Sequence, residues 1–185
     1  MVEETDAPAT QLLRQWKEGD AGAQDKLIEL FYPYLQKRAA GLLADENHVS
    51  LMPSDLVHEA VIRIIKTEQM ELNDRAHFMA LASRLMRRIL IDHVRAKNAD
   101  KRAHKKVTLM TNHQEQPRFD LQTLNHALLR LAAIDSQRAD IVEMRYFGAM
   151  SIADVAIATG LSEPTVKRRW ASARVWLANA IEGEQ

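Results

Sequence analysis

The chain reads as all-α, with two small helical domains joined by a linker, the second a helix-turn-helix domain. Three observations predict this. Apolar residues recur at helical spacing almost everywhere, and strand patterns are hard to find. From His104 to Asp120 the spacing is lost and polar residues gather around Pro117, as in a linker. Near the end, two helical stretches flank the short turn Gly160-Leu161-Ser162. The expected layout is a disordered segment over 1–9, a first helical domain over 10–103, a linker over 104–120 and the helix-turn-helix domain over 121–185. A length of 185 residues with 46% hydrophobic and 27% charged residues can fill such cores.

The start, MVEETDAPATQ, is acidic and polar with no apolar signal core. A first helix is expected from about Thr10 to Glu18, broken by Gly19 and Gly22. The second carries Leu27, Ile28, Phe31, Tyr34 and Leu35 in helical register, and Pro33 in its interior predicts a kink or local break. ADENHVSLMPS reads as a loop. In SDLVHEAVIRIIK, Ser54 suits an N-cap and Asp55 suits the positive end of the helix dipole. Leu56, Val57, Ala60, Val61, Ile64 and Ile65 make its apolar face, leaving Asp55, His58, Glu59, Arg63 and Lys66 outward.

After the polar connection TEQMELNDRA, a long helix spans about His77 to Asn98. At 100° per residue, Phe78, Ala82, Leu85, Met86, Ile89 and His93 share one face, while Arg84, Arg87, Arg88 and Arg95 share the opposite one. Four helical pieces follow Leu121. Leu124, Leu128 and Leu131 line the first; the second holds Ile141, Val142, Met144, Arg145 and Tyr146 and ends near Gly148. SIADVAIAT is the third, and the fourth runs from about Glu163 to Ile181. Ala156 is small where the last two helices cross, Gly160 supplies the positive φ of the turn, and Val166 plugs into the shared core. Val166, Trp170, Ala173 and Leu177 then face inward, while Thr165, Arg168, Arg169 and Ser172 face outward beside Lys167. Ser162 suits an N-cap, and Pro164 is tolerated in the first turn.

Formal net charge is zero, but its distribution is uneven. Acidic residues dominate positions 1–60. Positions 84–106 carry Arg84, Arg87, Arg88, Arg95, Lys97, Lys101, Arg102, Lys105 and Lys106 against Asp92 and Asp100. A polyanion senses the local field within a Debye length of ~8–10 Å, not the net charge. The cationic stripe on the long helix and the Lys167–Arg169 run on the last one therefore point to nucleic acid. Arginine and lysine reach guanine edges and phosphates, and threonine and serine serve either role.

Other chemistry finds little footing. The absence of cysteine excludes disulfides and Cys-based zinc sites and fits a reducing cytoplasm. No apolar run reaches the ~18 residues of a membrane span, so the chain is expected to be soluble. His58-Glu59 begins a metalloprotease-like pattern, but Ile62 stands where the second histidine belongs. His93, on an apolar helix face, suits a core histidine better than a ligand. There is no Gly-rich phosphate loop and no nucleophile elbow. No catalytic residue, metal or cofactor is expected. On residues alone the chain reads as a DNA-binding protein, with a free-standing helix-turn-helix regulator and an adaptor that sets its basic faces against acidic proteins both left open.

The order SDLVHEAVIRIIK, then ILIDHVRAKNADKR, then EMRYFGAMSIADVAIATGLSEPTVKRRWASARVWL resembles the extracytoplasmic-function sigma factors of bacterial RNA polymerase. The resemblance covers about Thr10 to Ile181. It implies a transcription initiation factor that binds core polymerase, recognises −10 and −35 promoter elements and melts DNA. Polymerase core and promoter DNA are then the partners, with an anti-sigma factor as a further candidate and the cytoplasm as the location. Core binding falls to Asp55, His58, Glu59 and Arg63. Arg84, Arg87, Arg88, Arg95, Lys97 and Arg102 become candidates for the −10 element. Asn73 becomes a candidate for a flipped base, whose unstacking costs a few kcal/mol. Glu163, Thr165, Lys167, Arg168 and Arg169 are the candidates for the −35 element.

Overall fold

The computed structural model describes residues 3–44, 51–67, 72–100, 107–108, 118–119 and 121–182. Eight helices carry the fold: α1 (Glu3–Lys17), α2 (Ala21–Leu43), α3 (Pro53–Ile65), α4 (Arg75–Asp100), α5 (Leu121–Ile134), α6 (Ser136–Tyr146), α7 (Ile152–Thr159) and α8 (Glu163–Glu182). None of the described helices is long and apolar enough to cross a membrane.

Helix α1 begins at Glu3, which corrects the expected disorder for residues 3–9. Ala9 is fully buried in line with Leu13, so the apolar stripe starts before Thr10. The turn after α1 uses Gly19 at φ +96°, and Asp20 caps α2 by accepting from the amides of Gly22 at 2.8 Å and Ala23 at 3.3 Å. Helix α2 runs unbroken through Pro33. Its buried residues Leu27, Phe31, Leu35 and Ala39 recur every four positions and hold the helix against α1 and α3. The N-cap of α3 is Met52 rather than Ser54. Pro53 takes the first helical position, where its missing N–H is no loss, and the Asp55 carboxylate accepts from the Met52 amide at 3.3 Å.

Helix α4 departs most from expectation. Most of the predicted core face is present: Phe78, Ala82, Met86 and Ile89 are buried while Leu85 and His93 are half-buried, and Phe31 of α2 stacks on Phe78 with centroids 4.5 Å apart, a contact worth about 0.5–1.5 kcal/mol beyond its area. Yet Leu81, Ser83, Leu90, Ile91 and Val94 are buried as well. A helix buried nearly all round is a central one, and α4 packs on α5, α6 and α7 in addition to α3. One contiguous core therefore runs from Ala9 through α4 to Ile181, and the two halves of the chain, α1–α4 and α5–α8, share it.

The halves approach closely at Gly148, after α6. A Cβ there would overlap Ser83 Oγ on α4 and lie 2.6 Å from the Met144 carbonyl oxygen. Beside it, Arg38 Nε of α2 donates to the Phe147 carbonyl at 2.9 Å. Burial pulls that guanidinium below its usual pKa.

Between the halves, Val107–Thr108 (β1) and Arg118–Phe119 (β2) form an antiparallel ladder with Val107 opposite Phe119, the one strand pairing among the described residues. Two residues per strand are too few to leave an alternation in the sequence. The rest of the expected linker lies outside the described residues.

Candidate nucleic-acid interface

The helix-turn-helix is built as its residues require. Ser151 caps α7 by accepting from the Asp154 amide at 3.0 Å, and the Asp154 carboxylate accepts in return from the Ser151 amide at 3.2 Å, the reciprocal arrangement of a capping box. Gly160 ends α7 in the left-handed region at φ 67°, and its N–H turns back to the carbonyls of Ala156 and Ile157. The Leu161 amide also donates to the Ala156 carbonyl, at 3.2 Å. Ser162 stands just before α8 with its hydroxyl 2.9 Å from that of Thr165. Val166, Trp170, Ala173 and Leu177 are buried. Two guanidinium groups approach the Trp170 ring, Arg145 at 5.7 Å and Arg174 at 5.9 Å from its centroid. Each such contact adds about 0.5–1 kcal/mol at an exposed site.

The outward face of α8 is not uniform. Arg168 and Lys167 are exposed, and Lys167 lies 3.7 Å from Glu163 across one turn. Thr165 is half-buried. Arg169 leans back onto α6, its Nη1 3.2 Å from a carboxylate oxygen of Asp135, the residue that caps α6 by accepting from the Arg138 amide at 2.9 Å.

The arginines of α4 divide into two groups. Arg88 and Arg95 are exposed, and so is Arg84 although it is paired. Arg84 lies 3.4 Å from Asp140 of α6, and Arg87 lies 3.3 Å from Glu143 and donates to Asn125 Oδ1 of α5 at 2.8 Å. The expected single solvent face is thereby corrected: the Arg87 side chain is only 18% exposed, because α5 and α6 cover it. Burial pushes the Glu143 carboxyl above the usual glutamate range, and Arg87 pulls it partly back. Lys97 lies on α4, but its side chain, like all of Arg102, is outside the described residues.

At the start of α4, Asn73 Oδ1 accepts from Lys17 Nζ of α1 at 3.0 Å. A lysine ammonium can only donate, so the Asn73 amide nitrogen is left for another acceptor. Arg14, Lys17, Leu72 and Asn73 line an open cavity of about 660 Å³ between α1 and the segment that leads into α4. Arg75 pairs with Asp154, joining α4 to the helix-turn-helix; both side chains are largely buried. Reading from the sequence missed Lys17, Arg75, Asp140 and Glu143. The signal for the last two was available: Asp140 and Glu143 are three residues apart, as are Arg84 and Arg87, a spacing that puts each pair on one helix face.

On α3, Asp55 and His58 are exposed. The His58 ring nitrogen Nε2 lies 3.0 Å from the Tyr32 hydroxyl. Glu59 and Arg63 pair at 2.5 Å, and Arg63 reaches within 3.9 Å of Asp92 on α4. No group of side chains among the described residues could hold a metal ion.

These features define a protein built on eight helices, the last two meeting at a glycine turn and the central one carrying exposed arginines. Comparison with known proteins supplies the family: residues 6–183 match the family described as ECF sigma factor, and the chain belongs to it. Sigma factors are non-enzymatic transcription factors that bind RNA polymerase and promoter DNA. No curated protein matches the chain. Among solved structures, the chain is similar to the sigma factor RpoE of Bartonella quintana in its complex with the anti-sigma factor NepR. That similarity has 19% identity, a TM-score of 0.40, and coverage of 87% of this chain and 98% of the other.

Proposed function

We propose that this sigma factor joins core polymerase through α3, engages the −10 element along α4, reads the −35 element with α8, and promotes melting. Family membership supports the outline, and the observation that carries the detail is α8. A helix that follows a left-handed glycine turn presents exposed Arg168 and Lys167 on one side and a fully packed apolar face on the other. Arg168 can address a base edge and Lys167 the backbone, with Glu163 and Thr165 beside them. Arg169, held by Asp135, contacts DNA only if that pairing gives way. On α4, exposed Arg88 and Arg95 are the first available cations, with Arg84, Arg87, Lys97 and Arg102 completing the −10 surface, and Asn73 meets a flipped base. Asp55, His58, Glu59 and Arg63 form the surface for polymerase.

Residues 10–103 and 121–185 serve as the two promoter-binding units, tethered by 104–120. A tether raises the effective concentration of the second contact once the first is made. The work is done in the cytoplasm, where polymerase and chromosome meet. Run-off transcription with purified core polymerase and a genomic promoter library tests the proposal. Defined start sites that depend on the added chain are expected, and none from any template would overturn it. A free-standing regulator would instead bind a palindrome tightly without polymerase.

A further inference from the structure

The proposed −10 surface of α4 is partly occupied by the chain's own carboxylates. Arg84 meets Asp140 at 3.4 Å and Arg87 meets Glu143 at 3.3 Å, in the same order along both helices. A carboxylate offers a guanidinium the same charged acceptor oxygens as a phosphate does. The pairing is incomplete, because Arg87 Nε is buried with no acceptor. It also covers only part of the surface. Arg88 and Arg95 line the cleft of about 610 Å³ that remains beside Asn125 and Glu143. Contacts independent of these charges hold the halves together: the close fit of Gly148 on Ser83 and the Arg38 bond to the Phe147 carbonyl.

We infer that Asp140 and Glu143 stand in for the phosphates of a DNA strand, so that the free chain is clasped against single-stranded DNA until its halves part. The inference rests on α4 being the strand-binding helix proposed above. Exposed Arg88 and Arg95 give an incoming strand its first hold, and phosphates then displace the two carboxylates as α6 moves away. The free chain binds more weakly than its open form by the fraction of molecules that are open.

The test compares the wild-type chain with Asp140→Asn/Glu143→Gln, using a fluorescent 20-nucleotide mixed-sequence single strand without polymerase. The Arg84–Asp140 pair is about half-exposed and changes affinity by a small factor, while the Arg87–Glu143 pair is largely buried and changes it by more, so binding tightens by about 2- to 20-fold together. Asp25→Asn/Glu29→Gln, on the exposed side of α2, changes net charge equally and is expected to leave binding as in wild type. Equal affinity of the clasp variant and wild type, or an equal gain in the α2 control, overturns the inference.

The chain has no cysteine, so spin labels at Lys26→Cys and Asn179→Cys report the distance between halves with the carboxylates intact. That distance is expected to lengthen when the strand binds, and an unchanged distance in the bound state also overturns the clasp. Failure of the chain to direct transcription with core polymerase counts against the proposed function instead, which separates the two outcomes.

Discussion

Replacing Gly148 by alanine tests whether the two halves share one core. The new methyl would overlap Ser83 Oγ and sit 2.6 Å from the Met144 carbonyl oxygen. Neither neighbour can step aside easily. Ser83 is fully buried and its hydroxyl donates to the Met79 carbonyl at 2.6 Å, while the Met144 carbonyl belongs to the backbone of α6. Overpacking of this kind costs about 1–3 kcal/mol. In a domain of 150–250 residues each kcal/mol moves the midpoint by about 2–4 °C, so a fall of roughly 2–12 °C is expected. Thermal unfolding followed by circular dichroism reads it directly. Combining the change with Ser83→Ala should recover part of the loss, since one of the two clashes then disappears. A Gly148→Ala midpoint within about 1 °C of wild type would refute the close packing of α4 against the end of α6.

Arg168→Ala is expected to cost about 1–3 kcal/mol at the −35 element and relax preference at one base pair, measured by competition among duplex variants. Unchanged discrimination would remove that assignment. Arg84→Ala/Arg88→Ala should impair open-complex formation while leaving association with core polymerase intact, as read by permanganate footprinting and pull-down. Asp154→Ala removes the cap partner of Ser151 and leaves Arg75 without its largely buried carboxylate. A loss of about 3 kcal/mol in denaturant unfolding is expected, and a loss below ~1 kcal/mol would show that the pair contributes little.

What could be read from the sequence was what local rules decide. The α7–α8 turn was legible because Gly160 is confined by its own backbone angle and Val166 by helical periodicity. Both act within a few residues, and the structure places them as expected. The apolar face of α3 was legible for the same reason, although Ile65 on it is 39% exposed. The N-cap of α3 was misplaced by two residues because Pro53 and Ser54 are each good starters, and only the Asp55 bond to the Met52 amide decides between them.

The second buried face of α4 was not legible as such. Leu81, Leu90, Ile91 and Val94 dilute the period that marks a half-buried helix, and their meaning depends on which distant helix covers them. The arginines show the same limit. Periodicity placed Arg84 and Arg87 together on one side, but whether that side meets water depends on Asp140 and Glu143, some fifty-six residues away in each case.

Asp135 carries a consequence for the aim of α8. One carboxylate caps the start of α6 and also meets Arg169, so it adds to the buried face of α8 a second hold on the roll of that helix. With side chains reaching about 5–6 Å from the axis, a roll of about 20° would sweep their tips sideways by about 2 Å. That is more than the tolerance of a hydrogen bond to a base edge. The angle at which Arg168 and Lys167 leave the protein is thus held in part by a residue that lies on neither α7 nor α8.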